Sequence, residues 1–237
     1  MSTRLQTNST LKKLLLFLKI KVTYYIEFIM NKMKRTVSQI KHELFLSLLI
    51  FLPFLVVIIM GKVIFWGTAS LQFMPWYQYL FDSLMEGNFP LWNSFNGMGV
   101  PFIANHQSAV FYPLNWLLFP LYLIGYTVGL SIGLTLLIPI HLVISGLGVM
   151  KILNAFNRSK FSQMTAGLVF AFSGYILTRV SFISMVWAYA WMPWIILACI
   201  QRKNKFKKDF LDWMTRTGLL ISMQLLAGHA QTSFYTL

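Results

Sequence analysis

The stretch LFLSLLIFLPFLVVIIMG, residues 44–61, contains no charged side chain. A helix of about 20 apolar residues is long enough to cross the roughly 30 Å hydrocarbon core of a bilayer. Because a helix satisfies all of its backbone hydrogen bonds internally, it is one of the few structures that can do so. This stretch therefore predicts a membrane-spanning helix, and the rest of the chain is interpreted around it.

Four further apolar stretches approach the length of a span. They are residues 126–150, 164–178, 184–200 and 210–227. Asp209, Asp212 and Arg216 lie at the start of the last one, where Asp212 and Arg216 can share a helix face. We therefore predict an all-α, polytopic membrane protein with about five transmembrane helices.

The composition favours lipid over water as the surrounding solvent. The chain is 57% hydrophobic and 11% charged, whereas soluble domains carry about 25% charged residues. The net charge of +14 would suggest a nucleic-acid partner in a soluble protein. Here we expect a lipid bilayer and no nucleic acid, because the basic residues fall between apolar stretches. The single cysteine, Cys199, lies in an apolar stretch and excludes an internal disulfide.

The connections between the predicted spans alternate between basic and nearly uncharged. Basic residues precede the first span and fill the second-to-third and fourth-to-fifth connections: Arg4, Lys12, Lys13, Lys19, Lys21, Lys32, Lys34, Arg35, Lys41, Lys151, Arg158, Lys160, Arg202, Lys203, Lys205, Lys207 and Lys208. The other connections carry only Lys62 and Arg179. The positive-inside rule then predicts a multi-pass cell-membrane protein whose N-terminus is cytoplasmic and whose loop 62–125 is outside.

Residues 1–43 form a separate basic segment in front of the transmembrane region 44–237. Their apolar stretches are too short to span a bilayer. Two interpretations stay open. The segment is either an amphipathic helix lying on anionic lipid, or sequence upstream of a later start at Met30 or Met33 rather than Met1.

The outer loop is rich in aromatic residues but broken by prolines and glycines. It is too long for a simple turn, and its composition suits short interfacial helices, one of them predicted over residues 76–85. Asp82 and Glu86 then lie four residues apart and are the acids predicted outside. They could bind a divalent cation or act as a base, or they are solvated positions of an amphipathic helix.

A polar island interrupts the aromatic residues near the end of this loop. It contains Asn105, His106 and Gln107 between Phe102 and Phe111. Polar groups framed by aromatic rings can hydrogen-bond a sugar or a lipid head group. His106 has no second ligand at a recognisable spacing, so His106 by itself does not predict a metal site.

Three more polar residues are predicted on the outer side. Arg179 lies near the end of the third span without a basic neighbour, and its guanidinium matches the geometry of a lipid phosphate. His229 and Gln231 follow the fifth stretch on the same side, so they could share a site with Arg179. The simpler interpretation is that they are ordinary polar groups at helix ends.

Five blocks across residues 44–237 resemble the bacterial membrane protein family YfhO. They are QFMPW (72–76), GNFPLWNSFNGMGVPFIANHQSAVFYPLNWL (87–117), AFSGYILTR (171–179), AWMPWIIL (190–197) and AGHAQTSFY (227–235). The resemblance implies a GT-C-like fold with helices along the membrane in a large first outer loop. It also implies glycosyl transfer outside the cell, from a polyprenyl-phosphate sugar to a cell-envelope glycopolymer such as teichoic acid.

The resemblance also implies roles for residues. An acid of the first outer loop acts as base or metal ligand, which assigns catalysis to Asp82 and Glu86, and basic residues hold the lipid phosphate. Substrate-binding positions are then Gln72, Trp76, Trp92, Asn93, Asn105, His106, Gln107, Tyr112, Arg179, His229 and Gln231.

The chain departs from the family pattern at three points. Thr68 stands near a position where relatives often have an acid, and Phe182 stands where they tend to have a histidine. Family members are also several times longer, so we expect a truncated or N-terminal portion. These departures keep a second function open, that of a non-catalytic membrane protein that binds or moves a lipid-linked sugar.

Overall fold

The structure is a computed structural model that describes residues 27, 29, 30, 33, 36–64, 66–201 and 207–237. The basic residues predicted to be cytoplasmic at 4–21, 32, 34, 35, 202, 203 and 205 lie outside the described residues. The chain divides into two compact units, residues 1–44 and 45–237. The second unit contains every candidate site residue.

The described part is mostly helical, which confirms the all-α prediction. The helices are α1 (Thr36–Ile59), α2 (Met74–Met85), α3 (Leu118–Ala155), α4 (Lys160–Ala171), α5 (Gly174–Thr178), α6 (Ile183–Ile200), α7 (Lys207–Leu226) and α8 (Ala230–Thr236). A π-helical turn, Ala69–Phe73, leads directly into α2, and 3-10 turns occupy His106–Ser108 and Pro113–Leu117. A two-residue hairpin pairs β1 (Trp92–Asn93) with β2 (Val100–Pro101), with Trp92 opposite Pro101.

Within the described residues, four helical segments are long and apolar enough to cross a membrane. They are Thr36–Ile59, Pro113–Ala155, Lys160–Thr178 and Ile183–Ile200. The predicted fifth span forms the 20-residue helix α7, but its first half carries Lys207, Lys208, Asp209, Asp212 and Arg216. The expected count of five is therefore corrected to four apolar helices and one helix with a charged first half.

A sharp break divides α3 at Tyr126, whose backbone has φ 46° and ψ −130°. The first part of α3 folds back on the second, so that a Cβ added to Gly129 would collide with the carbonyl oxygen of Leu121. Gly133 faces the side chains of Leu118 and Leu121 in the same way. Gly129 and Gly133 thus pack the two parts of α3 together rather than α3 against another helix.

Helices α3 and α4 cross in close contact at two glycines. A Cβ on Gly146 would lie 3.0 Å from the carbonyl oxygen of Gly167, and a Cβ on Gly167 would lie 2.7 Å from the carbonyl oxygen of Gly146. Leu46 and Ile50 of α1 pack on the same two glycines. Small residues let helices approach to backbone contact, which is typical of membrane proteins.

Helix α7 runs antiparallel along α6. Near the start of α7, Trp213 Nε1 donates to the carbonyl oxygen of Ala198 at 2.7 Å, close to the end of α6. Near the end of α7, Gln224 Nε2 donates to the carbonyl oxygen of Ala188 at 3.0 Å, in the first half of α6. The end of α7 therefore lies at the same end of the molecule as the start of α6.

Candidate functional site

The polar island of the first loop forms a compact turn over residues 105–109. The side chain of Asn105 accepts from the backbone N–H of Gln107 at 3.2 Å, and Ala109 ends the turn in the left-handed region. Gln72 Nε2, from the π-helical turn, donates to Gln107 Oε1 at 3.0 Å. This places Gln72 beside the island, with His106 exposed at its edge.

The connection between α7 and α8 packs on this 105–109 turn. Gly228 is buried with φ +86°, and a Cβ there would lie 2.8 Å from the carbonyl oxygen of His106. The next residue, His229, caps α8 through Nδ1, which accepts from the backbone N–H of Thr232 at 3.1 Å. Burial, and then the nearby His106, lower the pKa of His229. Two histidines far apart in sequence therefore meet at one site, a pairing that the sequence did not predict.

Arg179 lies at the C-terminal end of α5 with its side chain exposed. Its guanidinium carbon is 5.8 Å from the ring centre of Tyr175 and 5.7 Å from that of Phe182. Cation–π contacts of this kind hold a guanidinium in place while its N–H groups remain donors. The arrangement suits a docked anion such as a phosphate.

The two positions that depart from the family pattern are neighbours in space. Thr68 Oγ1 donates to the carbonyl oxygen of Ser181 at 2.5 Å, and Ser181 directly precedes Phe182. A threonine hydroxyl fixes the loop here, and it cannot act as a carboxylate base.

The two outer acids differ in environment. Asp82 is half-buried and accepts from the hydroxyl of Tyr122 at 2.6 Å, whereas Glu86 is exposed just after α2. Gln72 and Asp82 are ten residues apart on one continuous helical segment, about 15 Å at 1.5 Å per residue. Asp82 and Glu86 therefore lie at the C-terminal end of α2, distant from Gln72 and the 105–109 turn. Within the described residues, no group of three or more Asp, Glu, His or Cys side chains could hold a metal ion.

Tyr112 and Asn93, both expected to bind substrate, are buried inside the fold. The hydroxyl of Tyr112 accepts from Trp191 Nε1 at 2.9 Å and bonds with His141 Nε2 at 2.8 Å. Asn93 Oδ1 accepts from the backbone N–H of Phe95 at 2.9 Å. Their polar groups therefore make hydrogen bonds inside the fold.

The other expected binding residues lie closer to the surface. Trp76 is half-buried and packs edge-on to Phe73 at 5.7 Å, and the exposed Trp92 covers Gly99. Gln231 is exposed, and its Nε2 donates to the hydroxyl of Tyr235 at 2.7 Å.

A buried pair that sequence reasoning missed supports the 105–109 turn. Asn115 Nδ2 donates to the hydroxyl of Tyr77 at 2.6 Å and to the carbonyl oxygen of Ala109 at 2.8 Å. The Tyr77 hydroxyl in turn donates to the carbonyl oxygen of Ser108 at 3.1 Å. No sequence signal distinguishes these two residues, since the loop contains many aromatic and amide side chains.

Comparison with known proteins gives no match to a family model, to a curated protein or to a solved structure.

Proposed function

We propose that this chain is a multi-pass protein of the cell membrane that binds a polyprenyl-phosphate sugar on its outer side. The observation that carries the proposal is the meeting of Gln72, His106, Gln107 and His229 beside an aromatic-rich loop. Convergent polar groups framed by aromatic side chains are typical of sites for small polar ligands such as sugars. The resemblance to the YfhO family supports the same class of ligand.

The membrane placement rests on the four apolar helices and on the pairing of α6 with α7. Because α7 is antiparallel to α6 along its length, it crosses the bilayer wherever α6 does. The charged first half of α7, which begins with Lys207 and Lys208, then lies at the cytoplasmic side, where basic residues are favoured. In this proposal the Gly228 connection and the first loop lie together on the outer side.

Arg179 supplies the phosphate contact in this proposal. Its exposed guanidinium is held between two aromatic rings, and planar N–H donors match phosphate oxygens in pairs. An arginine at the membrane surface also places its charge where a lipid phosphate lies.

We further propose glycosyl transfer of the GT-C-like type, with a cell-envelope glycopolymer of the teichoic-acid type as acceptor. Asp82 is the better placed of the two acids, because the hydroxyl of Tyr122 holds its carboxylate in position. The carboxylate would take the proton of an acceptor hydroxyl, whose oxygen bonds to the anomeric carbon as the bond to the phosphate oxygen breaks. Arg179 would offset the charge on the departing phosphate.

The second candidate function is binding or movement of the lipid-linked sugar without transfer. Two observations favour it. The hydroxyl of Thr68 bonds to the carbonyl oxygen of Ser181 at the position where the family pattern has a carboxylate. Asp82 also lies about 15 Å along the helical segment from Gln72.

Sugar transfer and lipid binding, measured on the same membranes, separate the two candidates. Asp82→Asn should abolish transfer from a polyprenyl-phosphate sugar and leave retention of that lipid unchanged, while Arg179→Gln should weaken retention. Lys62→Gln, an exposed cation of the same predicted side, is the matched control for Arg179. Transfer that survives in both Asp82→Asn and Glu86→Gln rejects the catalytic assignment. Retention that is unchanged in Arg179→Gln rejects the phosphate contact.

A further inference from the structure

A groove of about 840 Å³ lies between α6 and α7, away from the 105–109 turn. Its walls include Trp191, Trp194 and Trp213, together with leucines of α7. Asp209, Asp212 and Arg216 line it at the first turns of α7. Its volume is within the range of roughly 300–1,000 Å³ that is typical of ligand sites.

The indole rings of the groove are fixed by hydrogen bonds. Trp194 Nε1 donates to the carbonyl oxygen of Ile144 at 2.7 Å, and Trp213 Nε1 donates to that of Ala198 at the same distance. Both rings are therefore held by the backbones of neighbouring helices. Tryptophan rings favour the boundary between head groups and acyl chains, so the groove presents a firm apolar wall at that depth.

We propose that this groove binds a zwitterionic phospholipid with a primary amine, such as phosphatidylethanolamine. Its acyl chain would lie along the tryptophans and leucines. Its phosphate would pair with the guanidinium of Arg216, and its ammonium would donate to the carboxylates of Asp209 and Asp212.

The charges of the groove distinguish this lipid from other classes. The head group of phosphatidylglycerol has a phosphate for Arg216 but no ammonium that could donate to the two carboxylates. A choline head group is cationic but has no N–H to donate to the carboxylates. Only a head group with both a phosphate and a primary ammonium satisfies all three charged residues. This inference requires the membrane location of the chain but not the sugar-binding proposal.

Native mass spectrometry of the purified full chain in detergent tests this directly. Phosphatidylethanolamine, phosphatidylcholine and phosphatidylglycerol of identical acyl chains are added separately, and the retained lipid is counted. The ethanolamine lipid should be retained roughly tenfold more strongly, because only its ammonium can make charge-assisted hydrogen bonds to the two carboxylates. Asp209→Asn with Asp212→Asn should lower its retention to that of the choline lipid.

Three further variants separate lipid binding from other effects. Leu219→Trp, at a side chain that is 59% exposed, should fill the groove and remove the bound lipid while the chain elutes as a folded species. Arg158→Gln, an exposed cation of the same predicted side, should change nothing, whereas Arg216→Gln should weaken all three phospholipids. Equal retention of the three lipids by the unmodified chain overturns the proposal. So does a dimer that Leu219→Trp converts to a monomer irrespective of lipid, since the groove then contacts a second copy.

Discussion

Gly228 packs directly on the carbonyl oxygen of His106, joining the end of α7 to the first loop. A Cβ at Gly228 would lie 2.8 Å from that oxygen, and Gln107 and Ala109 close the same space. The backbone has φ +86°, which L side chains rarely adopt. This contact requires that the loop and the α7–α8 connection lie on one side of the molecule.

The contact predicts that Gly228→Ala is strongly destabilising. The substitution combines a strained backbone, worth about 1–3 kcal/mol, with a collision against a carbonyl oxygen. The midpoint of thermal unfolding in detergent measures the loss. Gly61→Ala is the matched control, because Gly61 also has a positive φ but open space around its Cβ position. If both variants lose the same stability, Gly228 is not in contact with the loop.

The pair His106 and His229 predicts a loss of stability in acid. The pKa of His229 is lowered in the folded chain, first by burial and then by His106. Below the ordinary histidine pKa of about 6.5, the unfolded chain binds a proton that folded His229 resists. The free energy of unfolding should therefore fall as the pH drops from that value towards the lowered pKa.

Two variants assign this pH dependence. His106→Gln removes the imidazole that helps to lower the pKa of His229 and should make the loss in acid smaller, and His229→Gln should reduce it further. Unfolding midpoints measured between about pH 7.5 and pH 5.5 give the comparison. A pH dependence that is identical in the unmodified chain and in His229→Gln would contradict the assignment.

The buried bonds of Tyr77 predict a third effect on stability. Tyr77→Phe leaves the carbonyl oxygen of Ser108 without its donor and Asn115 without one acceptor, so we expect a loss of about 1–3 kcal/mol. Tyr79→Phe serves as the control, because the bond from Tyr79 to the carbonyl oxygen of Trp92 is exposed. Chemical denaturation in mixed micelles should show the larger loss for Tyr77→Phe, and the reverse order would refute this role.

Thr68→Val tests the contact between the loop and the segment after Arg179. The variant keeps the shape of the side chain but removes the donor to the carbonyl oxygen of Ser181. We expect a loss of about 1 kcal/mol, measured by thermal unfolding, and weaker retention of a polyprenyl phosphate if the loop positions Arg179. Ser70→Ala is the comparison, since its bond to Gly67 is local and exposed. If Thr68→Val and Ser70→Ala change the unfolding midpoint and the lipid retention equally, Thr68 has no role in positioning the site.

Features that depend on local hydropathy were predictable from the sequence. The span predicted over residues 184–200 is the helix Ile183–Ile200, because one uninterrupted apolar stretch defines it. The span predicted over residues 164–178 contains a break after Ala171, and Ser173 is the N-cap of α5. Hydropathy does not detect such a break, since the residues on both sides are apolar.

Contacts between distant stretches were not predictable in the same way. In the sequence, Gly228 indicates only a turn, and nothing near it identifies the carbonyl oxygen of His106 as its neighbour. The burial of Tyr112 was missed for the same reason, because its partners Trp191 and His141 lie on other helices. Packing of several helices decides such positions, and no local pattern records it.

The most direct test of the account is labelling of single cysteines in intact cells with a thiol reagent that cannot cross the membrane. In a Cys199→Ser background, Met98→Cys in the first loop and Phe234→Cys in α8 replace fully or largely exposed side chains. Both should react from outside, whereas Asn157→Cys, between α3 and α4, should react only after the membrane is opened. Protection of Met98→Cys in intact cells, or a reaction of Phe234→Cys only after permeabilisation, would contradict the account, in which the first loop and α8 both lie on the outer side.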